Sequence, residues 1–156
     1  MQKKIGIDFH GVISAAPEKF SAFCHEIRQM GINVYIISGG PKQDIAQYLA
    51  KNNIEYDEIW AIMDYYKELH LAQCYDDGSF QVPTDIWNTA KAKYCAENDI
   101  NFHIDDSPIY GLYFTTPYCE YDIQKEYCIV ASAQKINFNR PKEAAKDIAE
   151  IISASD

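Results

Sequence analysis

The feature that most constrains this chain is an alternation: short continuous apolar runs stop at polar residues and are followed by longer stretches with apolar positions at helical spacing. Lys4-Ile5-Gly6-Ile7 stops at Asp8, and Asn33-Val34-Tyr35-Ile36-Ile37 stops at Ser38-Gly39-Gly40-Pro41. Ile59 to Ile62 is a third run, Asn101-Phe102-His103-Ile104 stops at Asp105-Asp106-Ser107-Pro108, and Tyr127 to Ala131 is a fifth. Runs this short and unalternating suit strands buried on both faces. Between them, Pro17 to Met30 carries Phe20, Phe23, Cys24, Ile27 and Met30 at helical spacing, with Pro17 fit for a first turn and Gly31 for a cap. Pro41 to Asn53, Ile86 to Asn98 and Pro141 to Ser153 repeat the pattern. About 25 residues, Met63 to Trp87, break the rhythm with a turn signal at Asp76-Asp77-Gly78-Ser79 among aromatics, and read as an insertion.

Strands alternating with helices imply a parallel sheet covered on both faces, since right-handed crossovers leave few other arrangements. A length of 156 residues fits one domain able to bury a core without staples. Five widely spaced cysteines with no CxxC pair read as reduced, mostly buried thiols. A net charge of -9 without a basic run argues against binding duplex nucleic acid. With no signal-peptide core and no apolar span of membrane length, the expected location is the cytoplasm, away from membranes. Nothing in the sequence decides the oligomeric state.

In parallel sheets, ligands sit at the carboxyl ends of the strands. Asp8, Ser38-Gly39-Gly40 and Asp105-Asp106 all open onto that edge. Crowded carboxylates repel, so either one holds a proton or a cation lies among them, and hard oxygen donors without His or Cys at metal spacing point to magnesium (Mg2+). A hydroxyl beside two glycines ahead of a helix suits a phosphate, although Ser38 serves a helix cap equally well. Asp8, followed by Phe9-His10-Gly11, and the adjacent Asp105-Asp106 pair are harder to explain as caps. Lys91, at the start of the preceding helix, is placed to reach the same edge, with Lys93 as the alternative.

Asp8-Phe9-His10-Gly11-Val12 closing the first strand, Ser38 closing the second, a Lys heading a helix and Ile104-Asp105-Asp106 closing the fourth resemble the four ordered motifs of the haloacid dehalogenase-like (HAD) phosphohydrolases. The resemblance spans most of the chain. It implies one domain over 1–156, a three-layer Rossmann-like sandwich around a parallel sheet, with at most a small cap insertion at about 63–87. It further implies a magnesium-dependent phosphomonoester hydrolase acting on a small phosphorylated metabolite. Asp8 would be the nucleophile, forming an aspartyl-phosphate that water then hydrolyses. Ser38, Gly39 and Lys91 would hold the phosphoryl group. Asp8, the His10 backbone carbonyl, Asp105 and Asp106 would hold the metal, Asp106 most directly.

His10 departs from the family pattern, in which a second Asp serves as general acid and base. A free imidazole titrates near pH 6.5 and can take that role; the alternative is a catalytically impaired member that binds a phosphorylated ligand or has a regulatory role. A receiver-like phospho-acceptor domain is disfavoured, since it would carry its acidic pair after the first strand. His103 reads as a core histidine, and His25 and His70 as solvated. Tyr65, Tyr66, Tyr75, Phe80 and Trp87 make the insertion aromatic, as a satellite core, a dimer contact or a cap stacking on a base, which makes a nucleotide the most specific substrate guess. An insertion this short leaves the site open.

Overall fold

The computed structural model describes residues 1–77, 79–125, 127–130 and 134–155. Its centre is a seven-stranded, mostly parallel sheet in the order β3-β2-β1-β6-β7-β8-β9. The first half follows the sequence pattern closely: β1 (Lys3–Ile7), α1 (Pro17–Gln29), β2 (Ile32–Ser38), α2 (Lys42–Lys51) and β3 (Glu58–Ala61). Helix α1 has Pro17 in its first turn and buries Phe20, Phe23, Cys24 and Ile27. Parallel pairing sets Ile7 of β1 beside Ile36 of β2, so both strands release their polar ends at the same edge.

The insertion contains a short helix, α3 (Ile62–Glu68), and a two-stranded hairpin, β4 (Gln73–Cys74) with β5 (Phe80–Gln81). Gly78 of the expected turn lies outside the described residues. Helix α4 (Thr84–Glu97) follows, and β6 (Phe102–Asp105) then lies beside β1, with Ile7 paired to Ile104. A single turn of helix, α5 (Pro108–Gly111), leads to β7 (Tyr118–Asp122), parallel to β6.

Beyond β7 the sheet departs from the all-parallel expectation. Strands β8 (Tyr127–Ile129) and β9 (Lys135–Asn137) add antiparallel ladders, and α6 (Pro141–Ala154) closes the chain. The expected strand Tyr127 to Ala131 is therefore the middle of a meander, with Ala131 outside the described residues. Strands of three to five residues joined by connections of four and five residues leave no room for crossover helices, and antiparallel pairing needs none.

The two sides of the sheet carry separate cores. Val34 and Ile36 pack with Ile5, Ile7 and Ile104 against Phe20, Phe23 and Ile27 of α1 and Ala145 and Ile148 of α6. Ile37, one position out of phase, packs with Cys95 of α4. The expectation of five free thiols fails at one pair: Cys119 of β7 and Cys128 of β8 form a disulfide. The antiparallel turn brings together two cysteines nine positions apart, which cysteine spacing alone did not reveal. Cys24 and Cys95 are buried thiols and Cys74 is exposed. Among the described residues no helix is long and apolar enough to cross a membrane.

Candidate active site

The polar ends of β1, β2 and β6 converge. Asp8 continues β1, and its backbone N–H donates to the Ile104 carbonyl at 2.9 Å, which ties it to β6. A wide helical turn over Phe9–Ile13 follows, closed by Ser14 N–H on the Phe9 carbonyl at 3.0 Å. Gly11 makes this turn possible: its φ is +80°, and a Cβ there would lie 2.1 Å from Asp106 Oδ2. The turn and the Asp106 carboxylate are thus pressed together.

Lys91 lies in the middle of α4 and not at its head, a correction to the sequence reading. Helix α4 starts ahead of Ile86 and lays this residue, flanked by Ala90 and Ala92, inward. Its Nζ is 2.9 Å from Asp8 Oδ1 and 2.8 Å from Asp105 Oδ2, and the residue is only 3% exposed. Lys93 instead points to solvent, 4.0 Å from Glu97.

Asp105 is fully buried and engaged on both oxygens. Oδ2 accepts from Lys91 and from His103 Nε2 at 3.0 Å, and Oδ1 accepts the N–H groups of Asp106 at 2.9 Å and Ser107 at 3.3 Å. Burial raises its pKa, but His103 and Lys91 outweigh that and hold the carboxyl well below the usual range. Asp8 goes the other way. Burial, opposed by Lys91 and reinforced by Asp105 and Asp106, pushes it from 3.8 up to about 8. Burial and Asp105 also raise Asp106, and burial lowers His103 despite its bond to Asp105. For Lys91, burial works to lower the pKa, but the two carboxylates win and raise it, so the ammonium stays charged.

Oxygens of Asp8, Asp105 and Asp106 lie within 4.8 Å of one another. Three carboxylates against one ammonium leave two negative charges when all are ionised, which one divalent cation neutralises. An all-oxygen donor set is the kind magnesium takes, and the upward shift of Asp8 marks a position where added positive charge is favoured. Asp8 and Asp106 therefore fit the ion, whereas Asp105, engaged by four donors on its two oxygens, stands beside it and is not the direct ligand expected from the sequence.

Ser38 is completely buried, and its Oγ has no hydrogen-bond partner among the described residues. A buried hydroxyl with no internal partner is costly unless a ligand completes it. The helix-cap reading of Ser38 fails, because α2 begins after Pro41 and takes no side-chain cap. Gly39 lies beneath the Trp87 ring, with room for a Cβ only 3.0 Å from it. His10 is exposed, and its Nε2–H donates to the Gly40 carbonyl at 3.3 Å, which places the imidazole beside the Ser38–Gly40 turn.

The site is less open than its short insertion suggests. Trp87 Nε1–H donates to Tyr110 Oη at 2.7 Å, Phe80 packs on Trp87 at 5.6 Å, and the Tyr110 ring lies 5.0 Å from Lys91 Nζ. Asp8 is only 4% exposed, whereas Asp106 remains open to solvent. Tyr66 belongs to the satellite core with Ile62 and Ala90, and Tyr65 and Tyr75 are exposed. His70 is exposed, and His25 pairs with Glu55 at 2.6 Å. Tyr110 escaped the sequence reading; its only signal is its place three residues after a cap at Ser107, whose Oγ accepts its N–H at 3.2 Å. Glu120 and Asp122 also escaped it. They line a cleft of about 570 Å³ that begins at Asp106.

No protein-family model matches the chain, and no curated protein matches it.

Proposed function

We propose that this chain is a magnesium-dependent phosphomonoester hydrolase of the HAD-like type, working through an aspartyl-phosphate on Asp8. In this reading the fold is a single Rossmann-like three-layer sandwich over 1–156, and the segment at about 63–87 is a small cap. The observation that carries it is the buried ammonium of Lys91 held between Asp8 and Asp105, at the same sheet edge as the buried hydroxyl of Ser38, which has no partner among the described residues. A structural salt bridge needs no orphan donor beside it. A site built for a phosphoryl group needs both.

Asp8 attacks phosphorus with a carboxylate oxygen, and the bond from phosphorus to the ester oxygen breaks. Lys91 offsets the charge of the phosphoryl oxygens and Ser38 donates its hydroxyl to one of them. His10, at the mouth, gives a proton to the departing alkoxide and then takes one from the water that cleaves the acyl phosphate. Asp8, Asp106 and the His10 carbonyl would hold magnesium with Asp105 beside them, and the ion supplies positive charge against the phosphoryl oxygens.

Trp87 and Tyr110 supply an aromatic wall for the remainder of the substrate, which keeps a nucleotide among the candidates. Glu120 and Asp122 line the cleft next to Asp106, so the alcohol portion carries little negative charge of its own and monophosphates are favoured over polyphosphates. Rapid acid quenching during turnover, followed by peptide mass spectrometry, tests the mechanism: phosphate on the Asp8 peptide is expected, and phosphate elsewhere or nowhere counts against it.

One observation favours a second reading. The His10 Nε2–H is given to the Gly40 carbonyl at 3.3 Å, so that proton is engaged within the protein and not free for a leaving oxygen, as suits a protein that binds a phosphorylated ligand and releases it unchanged.

A further inference from the structure

His103 lies outside the four motifs, yet it touches the site. It is completely buried in β6, its ring stacks on Phe114 at 4.9 Å with the planes 9° apart, and its Nε2 meets Asp105 Oδ2 at 3.0 Å. Its Nδ1 lies against Gly6, where a Cβ would come within 2.6 Å. Asp105 Oδ2 belongs to an ionised carboxylate and can only accept, so the ring nitrogen that faces it, Nε2, carries a proton and donates it. Gly6 leaves the space for this ring and Phe114 fixes its plane.

A carboxylate offers about four acceptor positions. Asp105 uses two on Oδ1 for the Asp106 and Ser107 N–H groups and two on Oδ2 for His103 and Lys91. With every position taken, the carboxylate has no freedom to rotate, and the direction in which it holds the Lys91 ammonium is set. We propose that His103 is a positioning residue: by donating to Asp105 Oδ2 it locks that carboxylate, and through it aims Lys91 at Asp8.

The inference uses the role given to Lys91 above, but its test does not depend on turnover. Nitrogen-15 NMR of the Lys91 side chain in the full-length protein reads the ammonium directly; a clamped, buried ammonium exchanges its protons slowly and gives a resolved signal. In His103→Leu this signal is expected to broaden beyond detection or join the mobile lysines. In His103→Gln, whose amide can donate toward the same oxygen, it is expected to return. Imidazole spectra of the unaltered protein should show a proton on Nε2. Phosphate release read in parallel should fall about 10- to 100-fold in kcat for His103→Leu with KM nearly constant, and recover in the Gln variant. A Lys91 signal unchanged in a folded His103→Leu protein, or an imidazole with no proton on Nε2, overturns the proposal. If His103→Leu does not fold, the imidazole spectrum and the Gln variant decide. Should the unaltered protein release no phosphate while the NMR results hold, the hydrolase reading fails and the positioning role stands.

Discussion

Lys91 Nζ and Asp8 Oδ1 lie 2.9 Å apart across 83 positions of sequence, in a setting where neither residue is more than 4% exposed. Burying charged groups costs several kcal/mol per ion, and such pairs persist only where geometry and further hydrogen bonds offset it. Here Asp105 supplies the second contact to Lys91. Removing the ammonium leaves the buried, ionised Asp105 without its cation, so Lys91→Met is expected to cost about 3–5 kcal/mol, read by urea unfolding at neutral pH, and to abolish phosphate release. Lys93→Met, changing an exposed side chain, should stay within about 0.5 kcal/mol and keep its activity.

Gly11 gives a second prediction. Its positive φ and its closeness to Asp106 mean that Ala would strain the backbone and push the carboxylate away. Gly11→Ala should lose about 1–3 kcal/mol in stability and weaken magnesium binding, measured by calorimetry. Gly31 also has a positive φ, but nothing lies within 4 Å of a Cβ placed there. Gly31→Ala should therefore cost less stability and leave magnesium binding unchanged.

The dependence of stability on pH can be followed away from the metal cluster at Asp57. Burial raises its pKa, but two hydrogen bonds from Arg28, at 3.1 and 3.0 Å, and one from Val34 N–H at 2.8 Å outweigh this and lower it from 3.8. A carboxyl depressed in the folded state contributes stability above its unfolded value, and loses it as pH falls through the folded one. The gap in unfolding free energy between the unaltered protein and Asp57→Asn should therefore be full above about pH 5 and shrink steadily below 3.8. A gap constant down to pH 2 would contradict the assignment. Arg28 is partly exposed, so the charge contribution is at most about 1 kcal/mol.

Trp87 and Tyr110 lead to a prediction about selectivity. Trp87→Ala removes the ring above Gly39 and the donor to Tyr110, opening the pocket. The ratio of kcat/KM between a nucleoside monophosphate and a small sugar phosphate should change by about tenfold or more, and an unchanged ratio would show that the aromatic wall does not contact substrate. Tyr66, packed in the satellite core, serves as the contrasting position, where Ala should lower stability and spare the ratio.

Asp8, Ser38 and Asp105 were legible in the sequence because each interrupts an apolar run, and parallel strands deliver such interruptions to one edge. Lys91 was legible as a candidate but misplaced, since helical periodicity marks apolar stripes and a buried lysine inside one does not register. The β7–β9 meander was largely illegible. Its strands alternate buried and exposed residues over three to five positions, so Glu120 and Lys135 hid the edge of the sheet, and with it the pairing of Cys119 with Cys128. His103 and Tyr110 act through contacts that only the folded chain creates: one through the second carboxylate of the Lys91 clamp, the other through an indole 23 positions away.

The central claim is that Asp8 is a nucleophile toward phosphomonoesters. Phosphate release from a panel of monophosphates, nucleotides included, with and without magnesium, tests it most directly when the unaltered protein is run beside Asp8→Asn and His10→Asp. The account predicts magnesium-dependent release that disappears in Asp8→Asn. Release that survives in Asp8→Asn would contradict it, as would a protein that stays inactive on every ester even with His10 changed to Asp.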